Sequence, residues 1–171
     1  MKVAIFTEDK YGSGFIKAII NRLFKERIVP AVEFASTYTP KHIKKCHNVS
    51  KVKSVVRDVD RVLIIIDKEN NYEYDENRDI WRHLKGLKEQ DKVKITIIAT
   101  EPEIEEWICI SLGLNFDKSG SNSDSKPSRV LKRECNYKKS DLKSYAEKLD
   151  FEKLKKESES FGRFLDAISI D

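Results

Sequence analysis

The side chains with the most chemical capacity in this sequence are carboxylates that follow apolar runs. Glu8 and Asp9 follow Lys2–Phe6 after a single Thr7, and Asp67-Lys68-Glu69 closes the run Arg61-Val-Leu-Ile-Ile-Ile. Glu103, Glu105 and Glu106 follow Pro102, after a further apolar stretch. Carboxylates drawn together repel one another unless something positive lies between them. Hard cations such as Mg²⁺ require oxygen ligands, and one or two carboxylates with waters and a substrate phosphate suffice. Glu8, Asp67 and Glu69 are therefore candidates for a divalent-metal site, provided their strands end side by side. The alternative reading is that charges end strands because strands end at solvent. Asp9, Glu103 and Glu106 read as helix-start or surface charges. His42, His47 and His83 have no ligand spacing with a Cys or another His. Cys46, Cys109 and Cys135 are odd in number and far apart, which argues against a disulfide framework or a structural zinc site.

The elements needed to position those acids are legible in the apolar pattern. Lys2–Phe6 reads as a doubly covered strand, followed by a loop over Thr7–Gly14 marked by Gly12, Ser13 and Gly14. Ile16, Ile19, Ile20, Leu23 and Phe24 repeat with helical spacing, and Ile28–Ala35 predicts a second strand. Ser36–Ser50 is a polar, basic connection, and Val52, Val55, Val56 and Val59 predict a helix. Five consecutive aliphatics mark Arg61–Asp67 as a central strand. Ile80, Trp81, Leu84 and Leu87 form a third helical stripe, Val93–Ala99 a fourth strand, and Pro102–Leu112 a fourth helix. Trp81 and Trp107 fall on apolar stripes and read as core. Strand and helix in strict alternation predict a parallel sheet with helices on both faces. Ligands in such sheets collect beyond the carboxyl ends of the strands, where both acidic clusters fall. The expected organisation is one structural domain: an α/β core over 1–114, an exposed polar loop over 115–128, and a helical extension over 129–171 packed on the core.

Composition sets broad limits. In 171 residues, 39% are apolar and 36% charged, and 33 Lys and Arg against 29 Asp and Glu leave a net charge of +4. That surplus permits nucleic acid as a partner without arguing for it. The single Gln and the abundance of Lys, Glu and Ile resemble a thermophile's usage, as AT-rich coding also would. The start, MKVAIFTEDK, is too short in apolar residues for a signal segment, and no run reaches membrane-spanning length. A cytoplasmic protein is the expectation.

An acid after the first strand and Asp-x-acid after the third resemble the Toprim domain of topoisomerases, primases and OLD-type nucleases. The chain is most similar to an uncharacterised bacterial and archaeal Toprim-like family, kin of OLD and RloB proteins. Ile104-Glu105-Glu106-Trp107-Ile108 looks like its aromatic-Glu-x-Trp stretch, Tyr137-Lys138-Lys139 like its Tyr-x-Lys, and Ser160-Phe161-Gly162-Arg163-Phe164 like its closing Ser-Phe-x-x-Phe. The resemblance covers nearly the whole chain in consistent order. Three departures stand out, one being that a second Glu expected a few residues after the first is absent. Gly12 comes four residues after Glu8 where the family has Glu-Gly, and Glu69 lengthens one arm of Asp-x-Asp by a methylene.

The resemblance implies a Mg²⁺- or Mn²⁺-dependent nuclease or related phosphoryl-transfer protein, in a setting such as a defence system. It implies Asp67 and Glu69 as metal ligands, Glu105 as a third, Glu8 as ligand or general acid/base, and Lys139 as the group stabilising charge on the phosphate. Relatives often work beside an ATPase; this chain has no GxxxxGK[ST], so ATP hydrolysis requires a partner protein. Lys126, Arg129, Lys132 and Arg133, spaced by three and four, can share a helical face and position a nucleic-acid backbone, with Lys41, Lys44 and Lys45. The same charges also suit an ordinary solvated face. Two other functions fit the acids. One is a receiver-like signalling module with Asp67 as phosphoacceptor, although it lacks the Met-Pro and Lys-Pro such modules carry. The other is an inactive Toprim-like scaffold.

Overall fold

The computed structural model describes residues 1–35, 46–70 and 73–169, with residues 46–50 described by backbone alone. Its centre is a four-stranded, all-parallel sheet in the order β2-β1-β3-β4, formed by β1 (Lys2–Thr7), β2 (Glu33–Phe34), β3 (Arg61–Asp67) and β4 (Ile95–Thr100). The chain leaves β1 toward β2 on one side and returns to β3 on the other. The sheet's topological switch point, where open α/β folds form a crevice, therefore lies between β1 and β3.

Side chains of β3 alternate between two cores, which is why its aliphatic run is unbroken. Leu63 and Ile65 join Val3, Ile5 and Ile98 on one face. Val62, Ile64 and Ile66 join Ala4, Phe6 and Ile97 on the other. The first face is covered by α1 (Lys10–Lys25), α5 (Glu106–Leu112), α6 (Pro127–Cys135), a 3-10 segment over Lys139–Lys148, α7 (Phe151–Glu157) and α8 (Glu159–Ile168). The second lies under α2 (Cys46–Val55), with α3 (Glu76–Asp79), a 3-10 turn over Trp81–Leu84 and α4 (Glu89–Lys92) in the β3–β4 connection. Residues 129–169 thus share the core of the sheet. Trp107, fully buried, is the hub, with the rings of Phe161 and Phe164 at 5.1 and 5.4 Å.

Several elements differ from their predicted form. The glycines at 12 and 14 do not mark a loop. Asp9 caps α1 by accepting from the Gly12 N–H at 2.8 Å, so the helix starts at Lys10. Gly12 serves packing instead: a Cβ there would come 3.1 Å from that of Thr7. The second strand shrinks to two residues because residues up to Ile28 close α1, Pro30 lacks a donor, and β1 alone pairs with it among the described residues. The third helical stripe splits at Ile80, whose backbone (φ −122°, ψ −64°) leaves the helical region. The helix expected from Pro102 begins at Glu106, because the Ile104 N–H is diverted to Asp67. In the tail, α6 starts at Pro127, its N1 residue, Asn136 ends it in the left-handed region, and Lys139–Lys148 winds as 3-10 rather than α. The polar loop over 115–128 is not wholly exposed. Gly120 (φ +73°) is buried so tightly that a Cβ would meet the Glu69 carbonyl oxygen at 1.8 Å.

Candidate functional site

β1 and β3 pair in register from Val3↔Arg61 to Thr7↔Ile65, so the residues just past each strand emerge side by side. Glu8 Oε1 accepts from the Asp67 N–H at 3.0 Å across this gap. Asp67 and Thr100 are register partners at the ends of β3 and β4. Asp67 Oδ1 accepts from Thr100 Oγ1 at 3.0 Å and from the Ile104 N–H at 2.9 Å. The carboxylate is thus aimed by two neighbouring elements. A cavity of about 10 Å³, the scale of one water or ion, opens between Glu8, Asp9, Asp67 and Lys139, with Thr7, Gly12, Ile65 and Ile104 completing its wall.

Lys139 arrives from the C-terminal region. Its Nζ lies 2.8 Å from Glu105 Oε1 and 3.7 Å from Asp9 Oδ2. Glu105 is fully buried, and the same Oε1 also accepts from the Tyr137 hydroxyl at 2.8 Å. Its other oxygen, Oε2, is buried without a hydrogen-bond partner among the described residues. A buried carboxylate oxygen left in that state costs about 1–3 kcal/mol or more, so a ligand or water that satisfied it would be stabilising.

The electrostatics follow from this crowding. Burial, then the Glu8 and Glu105 carboxylates, push the Asp67 carboxyl up to about 8, against the pull of Lys139 and the Thr100 hydroxyl. Burial disfavours charge on Lys139 too, but Glu105 and then Asp67 more than offset it and hold its ammonium above the ordinary range. Burial, reinforced by Glu105, likewise raises the Tyr137 phenol. A carboxyl held well above the usual carboxylate range thus lies beside a cationic lysine on the same cavity.

Other predicted residues fall elsewhere. Glu69 is exposed on a turn at φ +59°, its N–H donating to the Pro102 carbonyl at 2.8 Å, outside the cavity wall. Lys68 turns aside to Glu101 at 2.7 Å. Glu103 accepts from the Ser128 N–H at the start of α6. Arg129, Lys132 and Arg133 are exposed on α6, Arg133 pairing with Glu134, while Lys126 is half-buried just before it. Lys41, Lys44 and Lys45 lie outside the described residues. Glu106 is no surface charge. It is 2% exposed, accepts from Ser160 Oγ at 2.5 Å and from the Glu101 N–H at 2.9 Å, and burial pushes it up to about 7. Ser160 in turn accepts from the Trp107 indole N–H at 2.8 Å.

Among the described residues no three His, Cys, Asp or Glu side chains form a ready-made metal cluster. The donor set still suits Mg²⁺ or Mn²⁺. Carboxylates from two adjacent strand ends flank one small cavity, and Mg²⁺ takes one or two carboxylates while keeping several waters. Sequence reasoning did not find Thr100, although its place at the end of β4, level with Asp67, is the signal that would have found it. Comparison with family models, curated proteins and solved structures gives no match.

Proposed function

We propose that the crevice between β1 and β3 binds Mg²⁺ or Mn²⁺ through Asp67 and Glu8 and transfers phosphoryl groups on nucleic acid, as a Toprim-like nuclease would. The observation that carries this reading is the meeting of Glu8 and Asp67 across the switch point, with Lys139 on the same cavity. A bound divalent cation supplies charge neutralisation at phosphoryl oxygens and activation of a water. The remaining roles belong to the chain. Thr100 and the Ile104 N–H fix the Asp67 carboxylate, and Glu105 keeps Lys139 ionised and pointed at the cavity, where it can meet a phosphoryl oxygen. Tyr137 holds Glu105 in place. Glu69 receives no ligand role here, because it stands outside the cavity wall. Nucleic acid as substrate and an ATPase as partner rest on the resemblance of the motifs. The test is cleavage of single- and double-stranded DNA and RNA with Mn²⁺, in the intact protein and in Asp67→Ala. Cleavage that stops with chelator and with Asp67→Ala supports the proposal; cleavage indifferent to both overturns it.

A second reading draws on the Thr100–Asp67 hydrogen bond and the nearby Lys139, which are suitable partners for the oxygens of a phosphorylated aspartate. Against it, Asp67 Oδ1 already accepts two hydrogen bonds, and a carboxyl pushed up to about 8 is a poor nucleophile at pH 7 without a cation. Mass spectrometry after acetyl-phosphate treatment separates the two, since the receiver-like reading requires a phosphoryl adduct on Asp67.

A further inference from the structure

A second basic surface lies away from α6. A groove of about 340 Å³ runs along the seam between α1 and the 3-10 segment, lined by Gly14, Lys17, Arg22, Lys25, Phe34 and Lys143, with Glu147 its one carboxylate. Four cations against one acid is a strong local excess in a chain whose net charge is only +4. The groove lies near the acidic cavity. Gly12 and Lys139 line the cavity, whereas Gly14 and Lys143, two and four residues further along the same two elements, line the groove. The two elements approach closely there: a Cβ at Gly14 would sit 3.9 Å from Lys143 Cδ.

The cations differ in what they can do. The Arg22 guanidinium is committed to the fold, bonded to Glu26 and to the Ala146 and Leu149 carbonyls and lying 4.3 Å from the Phe151 ring centre. Lys25 and Lys143 are exposed, and Lys17 is half-buried with its ammonium 5.4 Å from the centre of the Phe34 ring. Lys17 and Lys25 are eight residues apart on α1, about 12 Å along its axis. Phe34, half-buried at the sheet edge, adds an aromatic surface to the wall. Lysines along a groove with an aromatic beside them suit a single nucleic-acid strand, whose phosphates follow the charges and whose bases can stack.

We propose that this groove binds single-stranded nucleic acid and leads it into the β1–β3 crevice, Lys17, Lys25 and Lys143 contacting successive parts of the backbone. The proposal rests on the phosphoryl-transfer reading for the direction of the strand, but binding in the groove does not require a cation. Lys139, at the acidic cavity, stands four residues from Lys143, about 8 Å along the axis of the 3-10 segment. Without such an anchor the Glu8 and Asp9 carboxylates at the cavity would repel a polyanion.

The test is fluorescence anisotropy with a labelled oligo-dT of about 12 nucleotides, within the site sizes such grooves occupy, in chelator so that the cation site plays no part. The triple variant Lys17→Gln/Lys25→Gln/Lys143→Gln removes the three charges without touching Arg22, and its thermal melt and Mn²⁺ titration report folding and the cation site separately. Three lost phosphate contacts should weaken binding at low salt by roughly 10-fold or more and flatten the slope of log K against log salt by about 2. The paired variant Arg129→Gln/Lys132→Gln on α6, compared at 0.15 M salt, should stay within about 2-fold of the unmodified protein, as distant surface charges do when screened. Affinity and slope unchanged in the triple variant overturn the groove, even if Mn²⁺ binding is intact. Equal loss in the α6 variant, or competition by polyglutamate matching oligo-dT charge for charge, also overturns it. Loss of Mn²⁺ binding in Asp67→Asn with oligo-dT binding retained shows the two sites to be separate, as proposed.

Discussion

Replacing Asp67 with asparagine should stabilise the metal-free protein at neutral and alkaline pH. Asparagine keeps an oxygen for the Thr100 hydroxyl and the Ile104 N–H but removes the charge that Glu8 and Glu105 oppose. The carboxyl is raised by burial and by those neighbours from 3.8 to about 8. The folded state therefore binds its proton more tightly than the unfolded chain. The stability linked to that proton is complete below about pH 4 and is lost as pH rises toward 8. At pH 7 the loss has an upper bound of about 4 kcal/mol, from about three pH units at about 1.4 kcal/mol each. Asp67 is half-buried, so solvent screening brings the expected gain of Asp67→Asn to roughly 2 kcal/mol. In a chain of this size that is about 4–8 °C in Tm. Urea denaturation with EDTA at pH 4.5, 7 and 8.5 measures it, and the advantage should widen across the series. Saturating Mg²⁺ should then reverse the ranking, since a cation at about 100 times its Kd adds about 2.7 kcal/mol to the protein that binds it and nothing to the variant. An Asp67→Asn protein less stable than the original at pH 8.5 in EDTA would refute the reasoning and mark Asp67 as a structural acceptor.

Further outcomes follow from the same geometry. Lys139→Met leaves Glu105 buried beside Tyr137 with its charge unmatched, and should cost roughly 2–3 kcal/mol in urea denaturation, toward the low side for a buried pair because Lys139 is 35% exposed. Glu106 is raised by burial to about 7, so stability linked to its proton should fall as pH rises from about 5 through 7; Glu106→Gln should flatten that part of the pH–stability profile. Gly120→Ala places a methyl against the Glu69 carbonyl at φ +73° and should lower stability by more than about 1 kcal/mol, seen as a reduced Tm.

The sheet and the meeting of its first and third strand ends were legible because the relevant signals are local. Unbroken aliphatics at 62–66 require burial on both faces, and alternation of strand and helix requires parallel pairing. Asp67 and Glu8 follow directly, since each sits one residue or less beyond such a strand. What was illegible depends on distant partners. Glu106 lies beside two other glutamates at a helix start, the usual place for a solvated charge; Ser160, 54 residues away, joins the Glu101 N–H in making its burial tolerable. Gly12 and Gly14 carry a turn signature, yet close approach to Thr7, not chain reversal, explains Gly12. The basic groove escaped notice because its lysines come from α1 and from a segment more than a hundred residues later, so no spacing in the sequence relates them.

The central claim is that Asp67 and Glu8 bind a divalent cation. Isothermal titration of the metal-free protein with Mn²⁺ at pH 8, repeated on Asp67→Asn and Glu8→Gln, tests it most directly. The account predicts saturable binding by the unmodified protein, proton release as the Asp67 carboxyl ionises, at least about 10-fold weaker binding in each variant for the loss of one ligand, and no proton release in Asp67→Asn. Binding absent from the unmodified protein, or equally strong in both variants, would contradict it.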